Sequence, residues 1–376
     1  ARAIYGSGGA NGVVIVTTRK GNYGSKTRVD INVSNGWVEA DKSVLPDLIS
    51  GPEAATLVNE YWVNSGQAAQ SPFRPVSQGG LGAPEEQKTY DRLAFLLRKG
   101  YIQDYNIGIQ GGGNNSRYYL GAGYTDQDAF FKVIGFNSAS IKFNFDQQLS
   151  KKVKIGLTNN ISRSYRNQAR LGEGPQGRLW GSAITGSTYS PTHDASGALI
   201  GLENTYSLVD NYDVNTVSLR YVGSAFAEFD LFEGLKFKSS ISTDYNLYDE
   251  YQYWNSGTSI GSAVNGKVIE SVTQNNAWIN EQVLTYNKKI NAHNLTVLLG
   301  NTLQSNTLKY TYAEGNGFAN ANYKLISSAA STLASDRWTK HTIASYFGRI
   351  GYSFEDKYFA EASFRSDASS KFGKNN

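Results

Sequence analysis

The stretch Ala3-Ile4-Tyr5-Gly6-Ser7-Gly8-Gly9-Ala10-Asn11-Gly12-Val13-Val14-Ile15-Val16-Thr17-Thr18-Arg19-Lys20-Gly21 decides how the chain is read. Gly6, Gly8, Gly9 and Gly12 crowd one short segment, and glycine adopts the backbone of tight turns without steric penalty. Val13 to Val16 are all apolar and β-branched, and two threonines then lead to a basic turn. The pattern predicts a tight loop delivering a short strand buried on both faces. Its Gly-x-Gly-Gly-x-x-Gly spacing invites comparison with a phosphate cradle, but that fingerprint must open a helix whose N-terminus holds the phosphate. A β-branched run follows instead, so nucleotide binding is not expected.

From Thr27 onward, alternating segments recur at 27–39, 101–111, 116–126, 136–149, 152–165, 213–231, 235–250, 270–288, 293–312, 339–354 and 357–370. In 213–231, Val217, Leu219, Tyr221, Ala225, Ala227, Phe229 and Leu231 share one parity; Ser218, Arg220, Ser224, Glu228 and Asp230 share the other. Segment 152–165 likewise sets Val153, Ile155, Leu157 and Ile161 against Lys152, Lys154, Thr158 and Asn160. Successive side chains of a strand leave opposite faces, so these are strands with one apolar and one polar side. A soluble sandwich would turn the apolar side inward, whereas a membrane barrel turns it to lipid and keeps the polar side around a wet lumen. The segments often run ten or more residues, against about five or six for globular strands.

The connections separate the two further. Gly111–Asn115, Gln148–Lys151, Phe232–Gly234, Lys289–Ala292 and Glu355–Asp356 are turn-sized. Those between them are mostly long: about 60 residues after the first strand, about 45 after the fifth, and about 20 to 25 after the seventh and ninth, as in barrels with short turns at one rim and long loops at the other. Only Asp126–Gly135 is modest.

Composition agrees. The 376 residues carry a net charge of +4, 25 tyrosines, 39 glycines and only 18% charged residues, a mix suited to many strands and turns. No clustered basic stripe points to nucleic acid. The absence of cysteine excludes a disulfide scaffold or thiolate metal site and suits passage through an oxidising compartment. No apolar run approaches the ~20 residues of a spanning helix, which says nothing against a barrel. The chain opens within a motif and shows no leader pattern, so its first residue is expected to be internal.

Enzyme chemistry finds no support. His193, His293 and His341 are isolated, no Gly-x-Ser-x-Gly elbow occurs, and no two carboxylates can be paired across a cleft from sequence. No catalytic residue, cofactor site or metal site is expected.

The opening stretch resembles the end of the plug domain in SusC/RagA-type TonB-dependent outer-membrane transporters, where the form is close to Ile-Tyr-Gly-Ser-Arg-Gly-Ala-Asn-Gly-Val. Ile4, Tyr5, Gly6, Gly9, Ala10, Asn11 and Gly12 match it, while Gly8 stands where arginine is usual. Phe364-Arg-Ser-Asp-Ala-Ser-Ser-Lys-Phe-Gly373 resembles a second family motif, close to Phe-Arg-Arg-Asp-Gly-Ser-Ser-Arg-Phe-Gly, found partway round the barrel. The resemblance implies an all-β, transmembrane antiparallel β-barrel with about 11 of an expected 22 strands present. Residues 1–24 would be the end of the plug and 25–376 the N-terminal half of the barrel. An odd count cannot close a bacterial single-chain barrel, so the chain is expected to be part of a larger one.

By the same resemblance, the function implied is import of a large nutrient, an oligosaccharide or a peptide, across the outer membrane of a Gram-negative bacterium of the Bacteroidetes type. The partners implied are a SusD-like lipoprotein lid, outer-membrane lipid, and the TonB complex acting through a segment outside this chain. The alternative is a SusC-like barrel serving as a scaffold or secretion component.

In the long connections, Pro52, Glu53 and the stripe Leu57, Val58, Tyr61 and Trp62 predict an amphipathic helix, followed by a second piece at 91–99. These helices either pack at the barrel mouth or meet a partner. Aromatic faces accept sugar rings and also line any barrel rim. Trp62, Arg178, Trp180, Tyr189, Trp254 and Trp338 are therefore candidate contacts with ligand or partner, weighed against simple packing.

Overall fold

Period-two alternation over long segments produces one antiparallel sheet of eleven strands in chain order, β1 to β11. They are β1 Arg28–Val38, β2 Gly100–Gly112, β3 Ser116–Asp128, β4 Gly135–Ser150, β5 Val153–Asn167, β6 Tyr212–Phe232, β7 Leu235–Trp254, β8 Lys267–Ile290, β9 His293–Asn316, β10 Ser331–Phe354 and β11 Tyr358–Ser369. The computed structural model describes residues 12–13, 16–168, 179–202 and 204–373.

Register carries each face across the whole sheet. Arg117 on β3 pairs with Asp146 on β4, and the row continues through Gly156, Phe226, Ser240, Glu281, Thr302, Ser345 and Asp367. This face takes the polar residues, including the bidentate pair of Arg220 Nη2 and Nε with Asp244 at 2.6 and 3.0 Å. The opposite face carries exposed apolar side chains such as Val29, Ile31, Ile107, Leu120, Ile141, Ile241 and Leu299. A sheet whose apolar side stays outside and whose polar side is enclosed is the inversion expected of a membrane barrel wall. No helix among the described residues is long and apolar enough to cross a membrane.

Every second connection is a tight turn. At 291–292 and 355–357 the chain turns through left-handed Asn291, Glu355 and Asp356, and at 233–234 through Gly234. At the other rim, β8 and β10 begin earlier than their alternation predicts, at Lys267 and Ser331. The connections there shrink to 255–266 and 317–330, shorter than expected. The added residues Ser331 to Trp338 show no apolar alternation, and they extend as strand because they pair with β9 residues 309–316.

Among the described residues, the long connections carry five short helices: α1 Gly51–Asn64, α2 Arg92–Leu96, α3 Leu179–Thr185, α4 Thr205–Asn211 and α5 Ser259–Ser262. The largest apolar cluster lies there rather than in the sheet: Leu93, Leu96, Leu179, Ala183 and Leu208 pack α2, α3 and α4 together.

One expectation needs correction. Val13 and Val16, the described residues of the expected buried strand, lie in coil and are exposed, Val16 at 79%. Among the described residues no strand pairs with them, so their β-branched character has no ladder to join.

Candidate functional site

Two places gather residues capable of work: the polar face where residues 16–25 lie against the sheet, and the helical cap over the long-loop rim. Lys20 Nζ reaches Asp146 Oδ1 at 2.9 Å, and Arg117 Nη2 and Nε reach Oδ2 at 2.6 and 2.8 Å. The Asp146 side chain is fully buried between these cations. Next to it, Asn144 Nδ2 donates to the Arg19 carbonyl at 2.6 Å. Gly21 sits so close to the β2–β3 hairpin that a Cβ would lie 2.2 Å from the Gly111 carbonyl oxygen, so glycine is required here. Gly24 N donates to Gly113 O at 2.9 Å, Gly112 N donates to Ser25 O at 3.1 Å, and the Arg117 guanidinium lies 5.0 Å from the Tyr23 ring centre. Residues 18–25 are thus strapped to β2, β3 and β4 by ion pairs, backbone bonds and close contact. Above the strap opens a recess of about 620 Å³ whose lining includes Val16, Thr18, Arg19, Asp30, Asn106 and Lys142.

Sequence reasoning missed Lys20, Arg117, Asn144 and Asp146. The only signal was the polar parity of β4; the partners are up to 126 residues apart, and no local pattern links them.

The cap begins with α1. Ser50 accepts from the Glu53 backbone N–H, Glu53 accepts from the Ser50 backbone, and Pro52 occupies the first turn, a capping box with a preorganised first residue. The hydrogen bonds from Ser50 hold the Glu53 carboxyl below the usual carboxylate range. The helix buries Ala54 and Ala55, and Asn59 bonds both backbone groups of Phe73, at 2.6 and 3.1 Å. The expected stripe is therefore split: Val58 and Trp62 are half-buried, whereas Leu57 and Tyr61 are exposed, Tyr61 at 70%. In α2, Arg92 is buried and donates to the Ser187 and Ser190 carbonyls at 2.7 and 2.8 Å. Burial lowers its pKa, with Tyr206 and Tyr90 opposing.

The candidate contacts do not converge on one site. Trp62 lies edge-on to Tyr61. Trp180, in α3, packs on the helix cluster and edge-on to Phe131 at 5.6 Å. Tyr189 lies edge-on to Phe73 at 4.7 Å. Trp254 is not a loop residue; it ends β7, is buried against Val214 and Ile260, and has no face to offer a ligand. Trp338 lies within β10 opposite Lys309, exposed on the apolar face. Gly12 has a left-handed φ of 102°, and nothing lies within 4 Å of where a Cβ would stand. Ile4, Tyr5, Gly6, Gly9, Ala10, Asn11 and Arg178 lie outside the described residues. Among the described residues, no group of three His, Asp or Glu side chains could hold a metal.

No protein-family model matches the chain. It is 27% identical over 389 residues to TonB-dependent receptor P3 of Formosa agariphila, covering 100% of this chain and 37% of that protein. It is 24% identical over 419 residues to TonB-dependent receptor SusC of Bacteroides thetaiotaomicron, covering 100% of this chain and 38% of that protein. A solved structure of the RagAB peptide importer in its closed-closed state matches with a TM-score of 0.80 at 20% identity, over 100% of this chain and 46% of that one. The chain thus spans a little over a third of the length of these curated relatives. The resemblance carried by its two end motifs extends over its whole length, and its fold is that of a TonB-dependent barrel wall. These relatives are receptors and transporters, not enzymes.

Proposed function

We propose that this SusC-like stretch of a TonB-dependent receptor works in an outer-membrane importer of a large nutrient, an oligosaccharide or a peptide. Residues 1–24 form the end of the plug, and 25–376 form the N-terminal half of the barrel. The short turns face the periplasm and the helical cap faces the medium. Cargo binds on the plug surface and loops, a SusD-like lipoprotein closes over the rim, and TonB, acting through a segment outside this chain, displaces the plug. Leu57, Tyr61 and Trp62 on α1 supply the lipoprotein contact. Trp180 and Tyr189 contribute mainly packing beneath it.

The observation that carries this reading is the pairing of a polar inner face, which holds the strap of residues 18–25, with long helical loops gathered at one rim. An inner wall that grips a plug and an outer rim that presents apolar helix surface are what a gated, lidded importer needs. The test is purification of the full-length protein from outer membranes in mild detergent, with identification of co-purifying chains by mass spectrometry. A stoichiometric SusD-like lipoprotein is the expected result. A different set of stable partners without one would overturn the lidded importer in favour of a scaffold.

A further inference from the structure

The recess of about 620 Å³ above the strap has a floor of glycine. Gly108 on β2 stands opposite Gly121 on β3, and Gly123 follows on the same face. Glycine within a strand lets another molecule approach the backbone itself. The Tyr119 ring lies along this floor: a Cβ on Gly108 or Gly121 would stand 3.3 or 2.8 Å from its hydroxyl oxygen. Asn106, Gly123 and Ser140 in the lining lie farther from the short turns than Tyr119 and Asn144, on the side of the long loops.

Two features of the lining call for a ligand. Arg19 and Lys142 are exposed on it, and among the described residues neither has a carboxylate partner. The one carboxylate of the lining, Asp30, is engaged by Arg28 at 2.6 Å, so the recess is left with an excess of positive charge. Asn144 is only 2% exposed; its amide nitrogen donates to the Arg19 carbonyl at 2.6 Å, but its side-chain oxygen accepts from nothing. A buried acceptor without a donor is costly. A second recess of about 360 Å³ shares Thr18, Lys142 and Asn144 and adds Asn160, whose side-chain oxygen is likewise unpartnered. Free cations and unmet acceptors thus occur together on one stretch of inner wall.

We propose that this recess is a cargo subsite for a carboxylate borne on a molecule that also carries hydrogen-bond donors. The carboxylate sits on Lys142 and Arg19, and an adjoining hydroxyl or N–H donates to the Asn144 oxygen. Charge-assisted bonds of this kind are the strong ones in recognition. The inference rests on the importer reading and deepens it by giving the cargo an acidic group. A uronic acid unit of an oligosaccharide and an acidic residue of a peptide both supply that chemistry. A neutral cargo would leave both cations without a counter-ion.

The test uses the full-length protein in mild detergent. The probes are a fluorescent tri-galacturonate and a fluorescent tetra-glutamate peptide, set against neutral galactotriose and a tetra-glutamine peptide. At least one acidic probe should bind more tightly than its neutral counterpart, and the one that does identifies the source of the carboxylate. Lys142→Gln and Arg19→Gln should each weaken that probe about tenfold, while hydrogen exchange at the Gly24 amide stays unchanged and shows the strap intact. Lys142→Cys should react with a negatively charged methanethiosulfonate in the resting protein. Acidic probes that bind no better than neutral ones, or equally well to the folded variants, would overturn the inference. So would a Lys142→Cys variant that does not react, because the protein's own plug would then fill the recess. Any of these results alongside TonB-dependent uptake of a neutral cargo overturns the subsite alone and leaves the importer reading standing.

Discussion

Lys20 and Asp146 lie 126 positions apart in sequence, yet the lysine ammonium rests 2.9 Å from a carboxylate that has no contact with solvent. Arg117 occupies the other oxygen of the same carboxylate at 2.6 Å. One side chain on β4 therefore ties the approach to the barrel, the β3 strand and the wall into one unit. The strap of residues 18–25 is a fixed anchor on the wall.

Replacing Asp146 by Ala leaves two cations facing each other across an emptied site. Removing one partner of a buried pair costs about 3–5 kcal/mol; because Lys20 and Arg117 are partly solvated, about 2–3 kcal/mol is expected, in the local stability of the strap. Hydrogen exchange at the amides of Gly21 to Gly24 should accelerate, while that in β6 to β9 should not change.

Gly21→Ala tests the close contact independently of charge. A Cβ 2.2 Å from the Gly111 oxygen cannot be accommodated, so the strap must lift even with Asp146 intact. With Lys20 and Asp146 unchanged, hydrogen exchange at the Gly24 and Gly112 amides, which bridge the strap and the hairpin, should accelerate in Gly21→Ala.

Ser50→Ala removes half of the capping box of α1 and should cost about 1 kcal/mol in the stability of that helix. The pH dependence has a definite sign. The hydrogen bonds from Ser50 depress the Glu53 pKa in the folded helix. Its contribution is therefore complete above the unfolded carboxylate pKa and is lost as pH falls through the folded one. Helix opening, followed by exchange at Glu53 and Ala54, should be flat around neutrality and rise in acid.

Tyr61 and Trp180 should separate partner contact from packing. Tyr61→Ala, at an exposed position, should leave folding unchanged and weaken lipoprotein capture about tenfold, the scale of an aromatic contact residue. Trp180→Ala should destabilise the cap by about 1–3 kcal/mol through lost packing on Phe131 and the helix cluster. Its effect on capture should vanish at temperatures where the cap stays folded.

All eleven strands are legible because alternation is written locally: Val217 and Ser218 already specify opposite faces before any partner is known. Boundaries fail where the pattern lapses, as at Ser331 to Trp338, whose strand character comes from pairing with β9. Trp254 reads as a loop aromatic because β7 outruns its alternation, and only Val214 and Ile260 around it reveal a buried ring. The strap is not legible, since neither Lys20 nor Asp146 carries a sign of the other.

The most direct measurement is uptake of labelled oligosaccharides and peptides by whole cells producing the full-length protein, with the TonB complex intact or deleted. The account predicts accumulation of one cargo class that requires both the protein and TonB, and its loss on disrupting α1 at Tyr61. Uptake that is indifferent to the protein for every cargo, or equal without TonB, would contradict it.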